Sequence, residues 1–145
     1  MIAFTVPGEP VAKGRPRATT VNGHARMYTP AKTAQYEQLV AVYAAAAMNK
    51  APLMEHPVRL HLGIYFKVPG SWSKKRRAAA LGGIERPAKA PDIDNIVKAL
   101  ADGMNGIVWV DDSQIVELVC SKHYALEPYV SVKVTSPEME SAICT

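Results

Sequence analysis

Asp92 and Asp94 stand in Pro-Asp-Ile-Asp-Asn, Asp111 and Asp112 in Val-Trp-Val-Asp-Asp-Ser-Gln, and Lys98 follows Asp94 by four residues. Hard divalent cations take oxygen ligands, and phosphate oxygens complete the shell. Carboxylates gathered this way on a basic chain therefore point to a magnesium site that cuts a polyanion, nucleic acid before any other. Each residue also has a plainer use. An aspartate after proline at a helix start most often caps the helix. Lys98 with Asp94 makes an exposed i,i+4 pair worth a few tenths of a kcal/mol, and Asp111-Asp112-Ser113 makes a turn before a strand. The pairing favours metal, because a cap needs one carboxylate. If the helix start and the strand start meet, Asp92, Asp94 and one of Asp111 or Asp112 converge, and such anions repel one another unless a cation neutralises them.

The net charge of +4 hides a segregation along the chain. Residues 1–50 carry six basic and two acidic side chains, 51–66 one of each, 67–89 seven against one, and 90–145 three against nine. A basic front and an acidic cluster behind it suit one surface for phosphates and a small pocket for metal. Solubility alone explains the charge balance about equally well. The candidate phosphate contacts are Lys13, Arg15 and Arg17 in one segment and Lys74, Lys75, Arg76 and Arg77 in another. Tyr28 and Trp72 are read equally as core residues or as platforms for sugars and unstacked bases. Four consecutive basic residues on a helix cannot all be buried, so that patch faces water or polyanion.

Other chemistries are excluded by spacing. Cys120 and Cys144 show neither metal-ligand spacing nor a disulfide framework, and His24, His56, His61 and His123 are scattered, which argues against zinc. No apolar run approaches the roughly 20 residues of a membrane span, and the start, Met1-Ile-Ala-Phe-Thr-Val-Pro, has no signal-peptide pattern. A reducing, cytoplasmic setting is expected. The 145 residues suit one domain, taken as 1–135, with 136–145 as a tail.

Ile2 to Val6 reads as a strand stopped by Pro7-Gly8. The Gly-, Pro- and Arg-rich stretch to Pro30 reads as a loop or irregular hairpin turning at Asn22-Gly23. Tyr36, Leu39, Val40, Tyr43 and Ala47 predict one face of a helix of about four turns, with Thr29 as N-cap and Pro30 as first residue. Val58 to Val68 alternate strictly and predict a strand. Ser73 caps a short helix, Lys74 to Leu81. Ile93, Ile96, Val97, Leu100 and Met104 trace another helix, with Asp92 just before it and Asp94 in its first turn. Gln114 to Tyr124 and Tyr129 to Thr135 are strands, expected to pair antiparallel across Glu127-Pro128. The order predicts an α/β (α+β) fold in which helices cover a small mixed sheet.

The motifs Pro-Asp-Ile-Asp-Asn-Ile-Val-Lys-Ala-Leu and Gly-Ile-Val-Trp-Val-Asp-Asp-Ser-Gln-Ile-Val resemble those of the RusA family of Holliday-junction resolvases. The likeness extends to Gly-Glu-Pro-Val-Ala-Lys-Gly-Arg-Pro-Arg, Met-Tyr-Thr-Pro, Pro-Gly-Ser-Trp-Ser-Lys-Lys-Arg-Arg and the final strands, about Phe4 to Val134. It implies a homodimer that binds a four-way DNA junction and makes paired nicks dependent on Mg²⁺, with Mn²⁺ as a substitute. Asp92, Asp94 and Asp112 match the family's catalytic carboxylates and Lys98 its essential lysine. Asp111 is a further acidic position that could join the metal set, and Asn95 follows the pattern as a residue that orients a ligand. The N-terminal arm and the basic stretch from Pro69 to Pro91 look like the phage and prophage branch. Two alternatives stay open: a flap or single-strand nuclease with the same acids, and a DNA-binding module without catalysis.

Overall fold

The computed structural model describes residues 1–14, 17–28 and 30–137. Along the chain run β1 (Ile2–Pro7), β2 (Arg17–Val21), β3 (His24–Tyr28), α1 (Ala31–Met48), β4 (Val58–Lys67), α2 (Lys74–Leu81), α3 (Ile93–Met104), a 3-10 turn (Asp112–Gln114), β5 (Ile115–Ala125) and β6 (Tyr129–Thr135). Strict alternation puts β4 at the heart of the sheet. Val58, Leu60, Leu62 and Ile64 are fully buried, each contributing about 1.5–3 kcal/mol of apolar burial. β4 pairs parallel with β5 and antiparallel with β6, and β6 pairs antiparallel with β1, giving the order β1-β6-β4-β5. The mixed α+β class expected above is the one observed.

The expected β5–β6 hairpin is corrected by this order, because β4 lies between those strands. A strand whose whole inward face is apolar gains most at the centre, with partners on both sides. β5 is less covered, with Val116 57%, Leu118 49% and Val119 39% exposed, and takes the edge. Leu126 to Pro128 carry the chain across the end of β4, a step of about 10 Å or two strand spacings. There Val68 N donates to Ala125 O at 3.0 Å.

α1 and α3 pack against each other and, with the sheet, enclose the main core, in which Val40, Ile96, Leu100, Met104 and Trp109 are fully buried. The buried stripe of α1 is Thr33, Tyr36, Val40, Ala44 and Met48. Leu39 and Tyr43, expected on that stripe, sit at its exposed margin. The 18-residue helix is longer than the four turns expected, and Pro30 is its N-cap, with Ala31 the first helical residue. Thr29 lies outside the described residues. The helices approach closely because Gly103 has no side chain: a Cβ there would meet Val40 Cβ at 2.8 Å and Glu37 O at 2.9 Å.

β2 and β3 form a separate antiparallel hairpin. Its turn is Asn22-Gly23, at φ 52° and 78°, the left-handed pair that a tight hairpin demands. A second small cluster, Val68, Ala80 and Tyr124 with Phe66 and Trp72, fixes α2 against the ends of β4 and β5. Among the described residues no helix is long and apolar enough to cross a membrane.

Candidate active site

Asp92 occupies the N-cap position of α3, as its place after Pro91 suggested, yet its carboxylate makes no capping hydrogen bond. Asp94 lies in the first turn, where its Oδ1 accepts from the adjacent Asn95 N at 3.0 Å. Both are exposed beside the positive end of the helix. The plain capping role is thus not taken up by Asp92, and two anionic groups face outward.

Lys98, one turn further on, does not pair with Asp94 as the i,i+4 spacing suggested. Its Nζ lies 3.0 Å from Asp102 Oδ1 and 3.6 Å from Asp112 Oδ2. Hydrogen bonding and attraction from Asp102 raise the Lys98 pKa above the ordinary lysine value, with Asp112 adding to the effect.

Asp112 is delivered to Lys98 by a braced turn. Asp111 caps the 3-10 turn: its Oδ2 accepts from Ser113 N at 3.2 Å and from Ser113 Oγ, while Gln114 Oε1 accepts from Asp111 N at 2.9 Å. Gln114 Nε2 donates to Met54 O at 2.8 Å and His56 O at 3.1 Å, tying the turn to the segment before β4. The Ser113 hydroxyl and amide hold the Asp111 carboxyl below the usual range. Asp111 and Asp112 therefore have different surroundings, one bonded within the turn and the other directed to Lys98.

Asp102 is the residue that sequence reading missed. Asp94, Lys98 and Asp102 fall at i, i+4 and i+8, so the stripe was present in the spacing. Asp102 Oδ2 also takes Lys13 Nζ at 3.1 Å, and Lys13 Nζ reaches Glu37 Oε1 at 2.5 Å. Burial lowers the Lys13 pKa, but the bonds to Glu37 and Asp102 outweigh it and the net shift is upward. Lys13 N also donates to Asn95 O at 2.8 Å, which docks the arm on the first turn of α3.

The basic residues divide likewise. Lys74 and Lys75 are exposed on α2. Arg76 is engaged, with Nε 3.0 Å and a terminal nitrogen 2.8 Å from Glu85 Oε1, and with its guanidinium 3.5 Å from the Trp72 ring centre. Trp72 in turn meets Tyr124 edge-on at 5.3 Å and packs, half-buried, against the small cluster of Val68, Ala80 and Tyr124. Arg77 is half-buried, and its Nε has no hydrogen-bond partner among the described residues. Arg17 lies on β2, while its side chain and that of Tyr28, together with Arg15 and Cys144, lie outside the described residues.

Among the described residues no three His, Cys, Asp or Glu side chains are grouped as a metal ion would need. The expected convergence of Asp92 and Asp94 with Asp111 or Asp112 is thus not seen among them: Asp112 is brought to Lys98, on the helix that carries Asp92 and Asp94. The family model described as "Endodeoxyribonuclease RusA" matches residues 7–135. The chain belongs to the RusA family. That match runs from the end of β1 to the end of β6 and contains every residue of the acidic cluster. A Bacillus subtilis (strain 168) protein described as "Uncharacterized protein YqaN" is 42% identical over 135 residues, covering 92% of this chain and 94% of its own. RusA membership implies endonuclease activity on DNA.

Proposed function

We propose that this RusA-family protein resolves four-way DNA junctions by paired, magnesium-dependent nicks. The observation that carries the reading is Lys98, held between Asp102 and Asp112, one turn from Asp94 on the helix that begins at Asp92.

Asp92, Asp94 and Asp112 are the side chains assigned to hold Mg²⁺, or Mn²⁺ in its place. Their donors are all carboxylate oxygens, the hard ligands such ions take, and Asp92 is not spent on capping. When bound, the ion supplies Lewis-acid polarisation of the phosphate and a water of lowered pKa. Lys98, held by Asp102, donates to a phosphate oxygen and offsets the charge that develops there. Asp111 serves by bracing the turn that carries Asp112, and Asn95 by receiving the arm.

Lys74 and Lys75, with Arg15 and Arg17 of the arm and hairpin, are assigned to backbone phosphates. Arg77 joins them from the same helix, whereas Lys13 and Arg76 act mainly as scaffold through their carboxylate partners. A second copy of the chain supplies the second nick, because two-fold related sites meet opposed strands. The exposed apolar residues Val116 and Leu118 on the open edge of β5 favour that face for pairing. The setting proposed is the bacterial cytoplasm, with a phage or prophage origin.

The test offers the purified protein a synthetic four-way junction, a flap, a single strand and a linear duplex in magnesium. Selective, symmetric nicking of the junction is expected. Preference for the flap or single strand would move the assignment to those nucleases, and binding without nicking would make the protein a DNA-binding module.

A further inference from the structure

Beside the acidic cluster lies a cavity of about 370 Å³, walled by the segment after β1, the start of α1, the end of β4 and the loop that leads into α3. Its volume is near the lower end for small-ligand pockets, about 300–1,000 Å³. Lys32, Lys67 and Lys89 line it against a single acid, Glu9. All three lysines are exposed, and among the described residues none has an ion-pair partner. Phe66, half-buried, and Tyr124, 9% exposed, supply the aromatic part of its wall. Three unneutralised ammonium groups around an aromatic wall match an anion joined to a flat, apolar body.

The cavity is built into the fold. Lys122 Nζ donates to Lys89 O at 2.7 Å and Pro91 O at 2.9 Å, and Arg86 Nε donates to Lys122 O at 2.9 Å, so the loop is pinned to β5. The Lys122 ammonium lies 5.5 Å from the Phe66 ring centre. Pro91, part of the lining, is bonded directly to Asp92. The lining therefore runs up to the residue that precedes the start of α3.

We propose that this cavity binds one unstacked nucleotide of the DNA strand, its phosphate on Lys32, Lys67 and Lys89 and its base against Phe66 and Tyr124. The inference rests on the reading of the protein as a DNA nuclease and deepens it, since a base at a junction is cheaper to unstack than one inside a duplex. It makes the protein a reader of strand shape beside the cut rather than a holder of backbone alone.

The experiment is an NMR titration of the wild-type protein in EDTA with thymidine 5′-monophosphate, inorganic phosphate and thymidine. The expected result is saturable shifts centred on Phe66, Lys67, Lys89 and Tyr124 with the monophosphate, at least five-fold tighter than with phosphate or thymidine. A folded Lys67→Ala/Lys89→Ala protein should lose at least five-fold of that affinity. Equal response to inorganic phosphate would reduce the cavity to a simple anion site and overturn the proposal, as would shifts elsewhere or none. Because neither metal nor cleavage enters the measurement, failure of junction resolution and failure of the nucleotide pocket are told apart.

Discussion

Asp102 holds Lys98 at 3.0 Å through one carboxylate oxygen, while its other oxygen takes Lys13 at 3.1 Å. One side chain therefore aims the proposed catalytic lysine and anchors the N-terminal arm. Asp102→Asn should lower kcat about ten-fold, the scale of losing an outer positioning partner, with junction affinity kept and partial recovery in Asp102→Glu. The Lys98 pKa is raised chiefly by Asp102, so the alkaline limb of the kcat profile should move to lower pH in the Asn variant. The same sign holds for stability. The Lys13 and Lys98 pairs contribute fully below the ordinary lysine pKa and are lost as pH rises through the raised values. A full-rate Asn variant with an unmoved alkaline limb would contradict this role.

The adjacent aspartates should separate cleanly. Asp112→Asn removes a proposed metal ligand and the partner of Lys98 and should cut cleavage at least about 100-fold, with melting temperature little changed. Asp111→Ala removes the cap of the turn and should lower the melting temperature by a few degrees while retaining most activity at saturating magnesium. Its depressed pKa adds stability present above the ordinary aspartate value and lost as pH falls through the lowered one. Equal loss of activity in both variants would place Asp111 among the ligands.

The basic helix offers a paired comparison. Lys74→Ala/Lys75→Ala should weaken junction binding and flatten the dependence of log K on log salt by up to about 1.8, roughly 0.9 per phosphate contact, with no change in melting temperature. Arg76→Ala should instead lower the melting temperature, since that side chain bonds Glu85 and covers Trp72. Salt titration and thermal melting of both proteins check the division.

Much of this arrangement was legible in the sequence. The alternation of Val58 to Ile64 and the period of Ile96 to Met104 reflect burial itself, so β4 and α3 could be read directly. Which strands pair could not, because β6 alternates while β5 does not, and a short turn joins them either as neighbours or across β4. In α1 the run Ala44 to Ala47 makes several stripes similarly apolar, and the choice fell to the close contact with Gly103. The acids were visible as a group, but the partner of Lys98 was not. It depends on the 3-10 turn, anchored by Gln114 to Met54 and His56, reaching α3.

That close contact is itself testable. Alanine is favoured over glycine inside a helix by about 1 kcal/mol, yet a Cβ at Gly103 would press on Val40 and the backbone oxygen of Glu37. Overpacking of this kind costs about 1–3 kcal/mol, so Gly103→Ala should be a net loss in urea unfolding. Because Asp102 is the preceding residue and Glu37 its neighbour through Lys13, junction cleavage should fall as well. A stabilised, fully active variant would mean that the helices separate without cost.

The most direct measurement compares wild type with Asp94→Asn on a synthetic four-way junction, in magnesium and in EDTA, reading binding and symmetric nicks together. Wild type is predicted to nick only with magnesium. The Asn variant is predicted to bind as tightly or more tightly, because one repelling charge is gone, and not to nick. Undiminished nicking by the variant in magnesium, or wild-type nicking in EDTA, would contradict the assignment of these carboxylates to a metal-dependent junction resolvase.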